Sequence, residues 1–300
     1  MQEFIQHIIN GISLGSIYAL IALGYTMVYG ILQLINFAHS EVYMVGAFAA
    51  YYGARLLNLT DKPGYGTLVI LLVISMVICS VVGLTIERFA YRPLRKAPKL
   101  NILITAIGVS LFLQYGGQIV FGADPKVFPN VLEDSTITSF GAVELRSFDV
   151  AILGVTLFFM TAITYLIQKT KVGKAMRAVS TNHTVASLMG IDTNKIIAIT
   201  FIIGSSLAGV GSVLVGMKYP KIDPLMGTLI GLKAFVAAVL GGIGNLGGAV
   251  VGGLLMGVCE EMVVGYLSST YRDAFAFGIL IVILFFRPAG LLGRVSQEKV

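Results

Sequence analysis

The sequence predicts an all-α fold: a polytopic transmembrane helical bundle of about eight to nine segments, some of them broken or re-entrant. Three observations carry that prediction. Only 12% of the 300 residues are charged while 56% are hydrophobic; a soluble domain has about 25% charged residues and could not hide that much apolar surface. Unbroken apolar runs of roughly 20 residues recur, the length a helix needs to cross a bilayer. Transmembrane barrel strands, by contrast, alternate apolar and polar over roughly 10 residues. The remaining classes fall away quickly. Disorder needs low hydrophobicity and high charge, and the 35 glycines follow no period of three.

The elements follow in order. Apolar runs cover about 8–30, 42–57, 67–86, 101–121, 149–167, 196–216, 228–243, 248–267 and 274–286. The first has no basic segment ahead of it and no clear small-residue cleavage site after it, so it is read as a retained membrane segment. All nine runs are expected in one transmembrane domain, 1–300, with a few polar loops. Runs shorter than a straight crossing are the candidates for re-entrant or broken pieces.

The net charge of +6 is read as topology. No basic face with aromatic or groove-reading elements points to nucleic acid. The 87–99 loop holds Arg88, Arg92, Arg95, Lys96 and Lys99. The 169–195 loop holds Lys169, Lys171, Lys174, Arg177 and Lys195, and the tail holds Arg287, Arg294 and Lys299. The positive-inside rule makes all three cytoplasmic. The 122–148 loop carries Asp124, Glu133, Asp134 and Glu144 against Lys126 and Arg146, and is expected outside. If 101–121 and 149–167 each span, the two basic loops fall on one side, as their charge requires. The side of the N-terminus stays open, because it depends on whether both early runs cross.

Two regions read unlike spanning helices. In GYTMVYGILQLINFAHSE (24–41), Asn36, His39, Ser40 and Glu41 interrupt an apolar stretch. In GGIGNLGGAVVGG (241–253), the glycines Gly241, Gly242, Gly244 and those after Asn245 crowd one segment. Each glycine inside a helix costs about 1 kcal/mol relative to alanine, so the cluster means a break, a close helix contact, or both. Interrupted segments in the two halves of a transporter point to the substrate path.

Few residues offer chemistry. Ionisable groups in a membrane are costly and often functional; here they are His39, Glu41, Lys233, Glu260 and Glu261. Glu41 has two readings: part of a polar path lining or a hinge latch with His39 or Asn36, or a first-turn carboxylate at the membrane surface favoured by the helix dipole. Lys233 either snorkels to the interface or pairs with Glu260 or Glu261, since an unpaired buried charge costs more than a paired one. Cys79 and Cys259 sit in apolar runs without ligand spacing and read as small hydrophobes. No catalytic signature or phosphate loop is present, so no enzyme activity, metal or cofactor is expected, and active transport must draw on a partner or an ion gradient. The 169–195 loop has apolar residues at helical spacing in short pieces, broken by Gly173 and Gly190. It reads either as an interfacial helix on anionic lipid or as a coupling helix that inserts into a partner's groove.

Four stretches together resemble a known family: GISLGSIYALIALGYTMVYGILQLINFAHSEVYMVGAF (11–48), GKAMRAVSTNHTVASLMGID (173–192), GLKAFVAAVLGGIGNLGGAVVGG (231–253) and FRPAGLLGR (286–294). The chain is similar over essentially its whole length to permease subunits of ATP-binding-cassette importers for branched-chain amino acids, of the LivH type. The resemblance implies a multi-pass subunit of the bacterial inner membrane that imports leucine, isoleucine or valine. It implies a second homologous permease, two cytoplasmic ATPases that bind the ATP, and a periplasmic substrate-binding protein as partners. Permeases of this architecture for urea, short amides or other amino acids are the alternative, and an ion-coupled secondary transporter is the rival outside the family. Within the resemblance, Asn36, His39, Glu41, Lys233, Gly241, Gly242, Gly244 and Asn245 are expected in the path or gate. Gly173, Arg177, Val185, Ala186, Ser187 and Gly190 are expected in the ATPase-coupling loop. Two departures stand out. Val185-Ala186-Ser187 replaces the usual Glu-Ala-Ala core, and Ser40 stands where the family phrase ends in glycine.

Overall fold

A computed structural model describes residues 2–95, 97–140, 143–287 and 289–293. Lys96, Arg294 and Lys299, counted above among the cytoplasmic charges, lie outside the described residues. Nine helices in the described chain account for the nine apolar runs: α1 (Gln2–Leu32), α2 (His39–Leu56), α3 (Tyr65–Ile86), α4 (Lys99–Phe121), α5 (Ser147–Lys169), α8 (Thr193–Lys218), α9 (Met226–Gly241), α10 (Leu246–Tyr266) and α11 (Arg272–Phe286). Seven of these segments are long and apolar enough to cross a membrane. Two short helices, α6 (Lys171–Thr181) and α7 (His183–Leu188), fill the second basic loop.

Contacts between loops sort them into two faces. On one face, Arg95 joins Glu87 and also donates to Asn194 Oδ1 at 2.5 Å, so the two basic loops meet. His183 of the second loop lies 3.0 Å from the Ile31 carbonyl at the end of α1. On the other face, the Glu144 amide donates to Gln6 at 2.8 Å, Lys218 pairs with Asp149 at 3.3 Å, and the Gly64 amide donates to the Val131 carbonyl. Reading the basic face as the inner one by the positive-inside rule places the start of α1 on the outer face, the end the sequence left open. The outer loop is partly ordered by two small pairings, β1 (Lys126–Val127) with β4 (Lys221–Ile222) and β2 (Thr136–Phe140) with β3 (Val143–Arg146).

Eight of the nine helices form two inverted halves, and α5 lies between them in the chain. The first half is a long helix (α1), an extended return (33–38), a helix that starts part-way up (α2), then α3 and α4. The second repeats this order in the opposite direction: α8, an extended return (219–225), α9, α10 and α11. The packing repeats too. α1 lies on α10 as α8 lies on α3; α2 is held by α3 and α8 as α9 is held by α10 and α1; α1 meets α8, and α2 meets α9. Buried α1 and α8 form the centre, while α3, α4, α5 and α11 carry most of the exposed apolar side chains.

Glycine sets how close the helices come. Gly11 and Gly15 of α1 face Gly253 and Gly257 of α10. A Cβ on Gly15 would fall 2.8 Å from the Gly253 carbonyl oxygen. In lipid no hydrophobic force drives helices together, so small residues four apart supply the contact by letting backbones touch. Of the readings for the glycine cluster at 241–253, the close helix contact is the one found: Gly241, Gly248 and Gly252 bring α9 to α10, and Gly253 brings α10 to α1. That cluster is not a break within the membrane. It is a tight hairpin joining α9 to α10 at the inner end, with Gly242 and Gly244 at φ +106° and +90°, Gly241 packed on Gly248, and Gly244 near Gly30. The break in the second half lies earlier, at 219–225, where Pro220 and Pro224 deny the backbone its helical donors.

Candidate functional site

The two returns place two helix N-termini together deep in the bundle. α2 begins at His39, whose imidazole packs against Gly24: a Cβ there would fall 2.5 Å from His39 Nε2 and 2.8 Å from the Gly204 carbonyl. Gly204 stands near the middle of α8, so α2 begins near mid-depth. α9 begins at the same level. A Cβ on Gly227 would lie 2.6 Å from the Ser40 carbonyl and 2.8 Å from Glu41 Oε2, and Gly231 packs directly on the Ser40 side chain. Both first turns carry the positive end of a helix dipole, and Glu41 sits between them.

Each predicted junction residue has a distinct contact. Asn36 Oδ1 accepts from Tyr91 OH at 2.9 Å, tying the first return to the end of α3. His39 lies edge-on to Tyr25, ring centroids 4.5 Å apart. Ser40 Oγ donates to the Phe37 carbonyl at 2.7 Å and lies 3.4 Å from Glu41 Oε1. Glu41 is 1% exposed, its Oε2 has no protein partner among the described residues, and no contact joins it to His39 or Asn36. It is a first-turn carboxylate, but one buried at the junction rather than placed at a membrane surface. It lines a cavity of about 150 Å³ between α1, α2, α4 and α9. Apolar walls come from Tyr25, Phe37, Leu111 and Phe235; Ser110, Gln114 and Thr228 add hydroxyl and amide groups, with Gln114 donating to Thr228 at 2.9 Å. Ser110, Gln114 and Thr228 escaped the sequence reading because single polar residues in apolar helices stand out little.

Lys233 is elsewhere. Its ammonium group pairs with Glu260 at 3.2 Å and Asp273 at 2.6 Å, and Arg272 holds Glu260 at 3.1 Å and Glu261 at 2.7 Å. Tyr18 OH donates to Glu260 at 3.0 Å. Of the two readings for Lys233, pairing is the one found, and the partners Arg272 and Asp273 come from the start of α11. Gly241, Gly242, Gly244 and Asn245 are likewise apart from the junction. Asn245 caps α10 by accepting from the Gly248 amide at 3.3 Å and donates to the Leu292 carbonyl at 2.8 Å.

A family model described as branched-chain amino acid transport system / permease component matches residues 7–284. The chain belongs to this family. It is 43% identical over 302 residues to the high-affinity branched-chain amino acid transport system permease protein BraD of Pseudomonas aeruginosa, covering 99% of this chain and 98% of that relative. It is 42% identical over 301 residues, with the same coverage, to LivH of Escherichia coli K12. A ribose import permease protein, RbsC of Haemophilus influenzae, is 22% identical over 93% of this chain and 84% of that relative.

The 169–195 loop, expected on the cytoplasmic side, folds into two short capped helices. Thr170 caps α6 through the Gly173 amide at 3.1 Å, and Arg177 donates to the Ile167 carbonyl. Gly173 does not break the piece as expected: it lies inside α6, pressed on the Leu166 and Ile167 carbonyls. The break is Asn182, which caps α7 by accepting from Thr184 and Val185. Gly190 ends the pair at φ +83° with open space around it. Met176, Val179 and Ala186 are buried, whereas Val185, Leu188 and Met189 are 53%, 81% and 78% exposed. Asp192 caps α8, and the Lys195 amide donating to it holds its carboxyl below the usual range. Among the described residues no three metal-ligating side chains converge.

Proposed function

We propose that this chain is one of two permease subunits of an ATP-binding-cassette importer in the bacterial inner membrane, moving leucine, isoleucine or valine inward. Near-full-length likeness to two branched-chain amino acid permeases carries the reading. The geometry supports it: two half-helices from inverted halves meet near mid-depth, an arrangement used where a substrate path needs backbone polarity inside a membrane. A second homologous permease would complete the path, a periplasmic binding protein would deliver the amino acid, and two cytoplasmic ATPases would bind and hydrolyse the ATP. This chain supplies path and gate, with Asn36, His39 and Glu41 on the gate.

The coupling contact falls to α6 and α7. Leu188 and Met189 offer apolar side chains suited to a groove on an ATPase. Without the acidic residue at Val185, packing rather than an ion pair holds them. Inverted halves also occur in ion-coupled transporters working alone, and the energy source separates the two. Reconstituted with its partners in vesicles, the complex should take up leucine only with ATP and loaded binding protein. Substituting tryptophan at Gly190, where a positive φ favours glycine, should abolish ATPase stimulation by loaded binding protein while the protein stays inserted. Wild-type stimulation in Gly190→Trp would remove the loop from coupling.

A further inference from the structure

We infer that the cavity at the half-helix junction is a transit site for an ammonium group bearing an apolar side chain, with Glu41 as the receiving carboxylate. The inference deepens the proposed transport function and rests on it. Three observations meet at one place. First, Glu41 is almost wholly buried and its Oε2 has no protein partner. A buried carboxylate left so is costly unless something completes it. Every other strongly buried carboxylate among the described residues is answered: Glu87 by Arg95, Asp149 by Lys218, Glu260 by Lys233 and Arg272, Glu261 by Arg272. Second, this one faces a cavity of about 150 Å³. Third, the cavity walls divide by chemistry, with Phe37, Leu111, Leu232 and Phe235 apolar and Ser110 and Gln114 polar.

Two helix N-termini, and no side-chain cation among the described residues, face Glu41 when the site is empty. The Gly227 end of α9 and the start of α2 both point partial positive charge at the carboxylate. That field is weaker than a lysine or arginine would be. A side-chain cation would fill the site permanently, as Lys233 fills the site at Glu260. Dipoles hold the charge yet leave the position free for a cation that must also depart, since conduction needs binding that is favourable but weak. The apolar walls then favour an ammonium group on a molecule with a branched hydrocarbon over a hydrated inorganic ion. The hydroxyl of Thr228 and the amide of Gln114 stand on the α4–α9 side, where α9 presents Leu229 and Thr228 outward.

The test uses thiol reagents of opposite charge on the complete transporter in vesicles. A cysteine is placed at Thr228, and labelling of Cys79 and Cys259 in the parent is subtracted. With Glu41 present, an aminoethyl reagent should label the new thiol at least about tenfold faster than a sulfonatoethyl reagent, since a focused field concentrates counter-charges to that degree. Glu41→Asp should keep the preference, and Glu41→Gln should bring the two rates together. Leucine delivered by its binding protein during turnover should slow the cationic reagent. Equal rates with Glu41 in place, a preference that survives Glu41→Gln, or sodium protecting as well as leucine would overturn the proposal. If Glu41→Gln does not assemble, the ratio in Thr228→Cys alone decides. Parent vesicles that take up no leucine would instead defeat the transport reading, whatever the labelling ratio.

Discussion

Two charged side chains inside the bundle, Lys233 and Glu41, differ in what answers them. Lys233 is fully answered by Glu260 and Asp273, so its removal should act on stability first. Lys233→Met should cost about 1–3 kcal/mol, less than a fully stranded buried charge, because Arg272 still pairs with Glu260 and Asp273 is half-exposed. The denaturation midpoint in detergent measures it. In a Glu260→Gln background the same change should cost less, because one partner is already neutral; strictly additive losses would contradict the pairing. The sequence made both residues visible, because a charge in an apolar run is conspicuous. What it could not supply was their partners. Arg272 and Asp273 lie at a helix start where charges are ordinary, and only the turn between α10 and α11 brings them to Lys233.

At the scale of elements, glycine decides the contacts. The α1–α10 seam has Gly11 and Gly15 facing Gly253 and Gly257, and no lipid-driven force would replace it. Gly15→Leu should force the helices apart and cost about 1–3 kcal/mol, the range for overpacking a tight core. Gly278→Leu on α11, with nothing near its Cβ position, should cost far less by the same thermal measurement. The cytoplasmic pair makes the opposite prediction. Leu188→Asp and Met189→Asp touch exposed side chains, so they should leave stability within about 0.5 kcal/mol yet reduce ATPase stimulation by loaded binding protein. Local sequence misplaced Gly173 as a break and left the 241–253 cluster between a break and a close contact. Gly173 sits inside a helix because it must pass two carbonyls, and the 241–253 cluster marks a hairpin and a seam instead of a break. Periodicity sees helix cost but not the neighbour that makes glycine necessary. The true break at 219–225 fell in the gap between the runs 196–216 and 228–243, where it reads as an ordinary loop between two crossings.

The whole molecule is an inverted pair of halves, and that symmetry was the least legible feature. Composition and run length gave away the bundle, and loop charge supplies the orientation expected of it. The repeat, however, is carried by backbone path and packing partners, and it left little sequence likeness between 1–121 and 193–286. Its direct consequence is topological. Glu3→Cys should react with an impermeant maleimide from outside intact cells, and Lys174→Cys only after the cells are opened. Labelling of both from one side would contradict two full crossings in the first half.

The central claim is that this chain forms, with a second permease, the path by which branched-chain amino acids enter on ATP hydrolysis. The most direct measurement is uptake of labelled leucine by vesicles containing the complete transporter, with leucine-loaded binding protein outside and ATP on the ATPase side. Accumulation that needs ATP, survives an uncoupler, and falls in Glu41→Gln is the predicted result. Accumulation that an uncoupler abolishes and that proceeds without ATP would contradict the account.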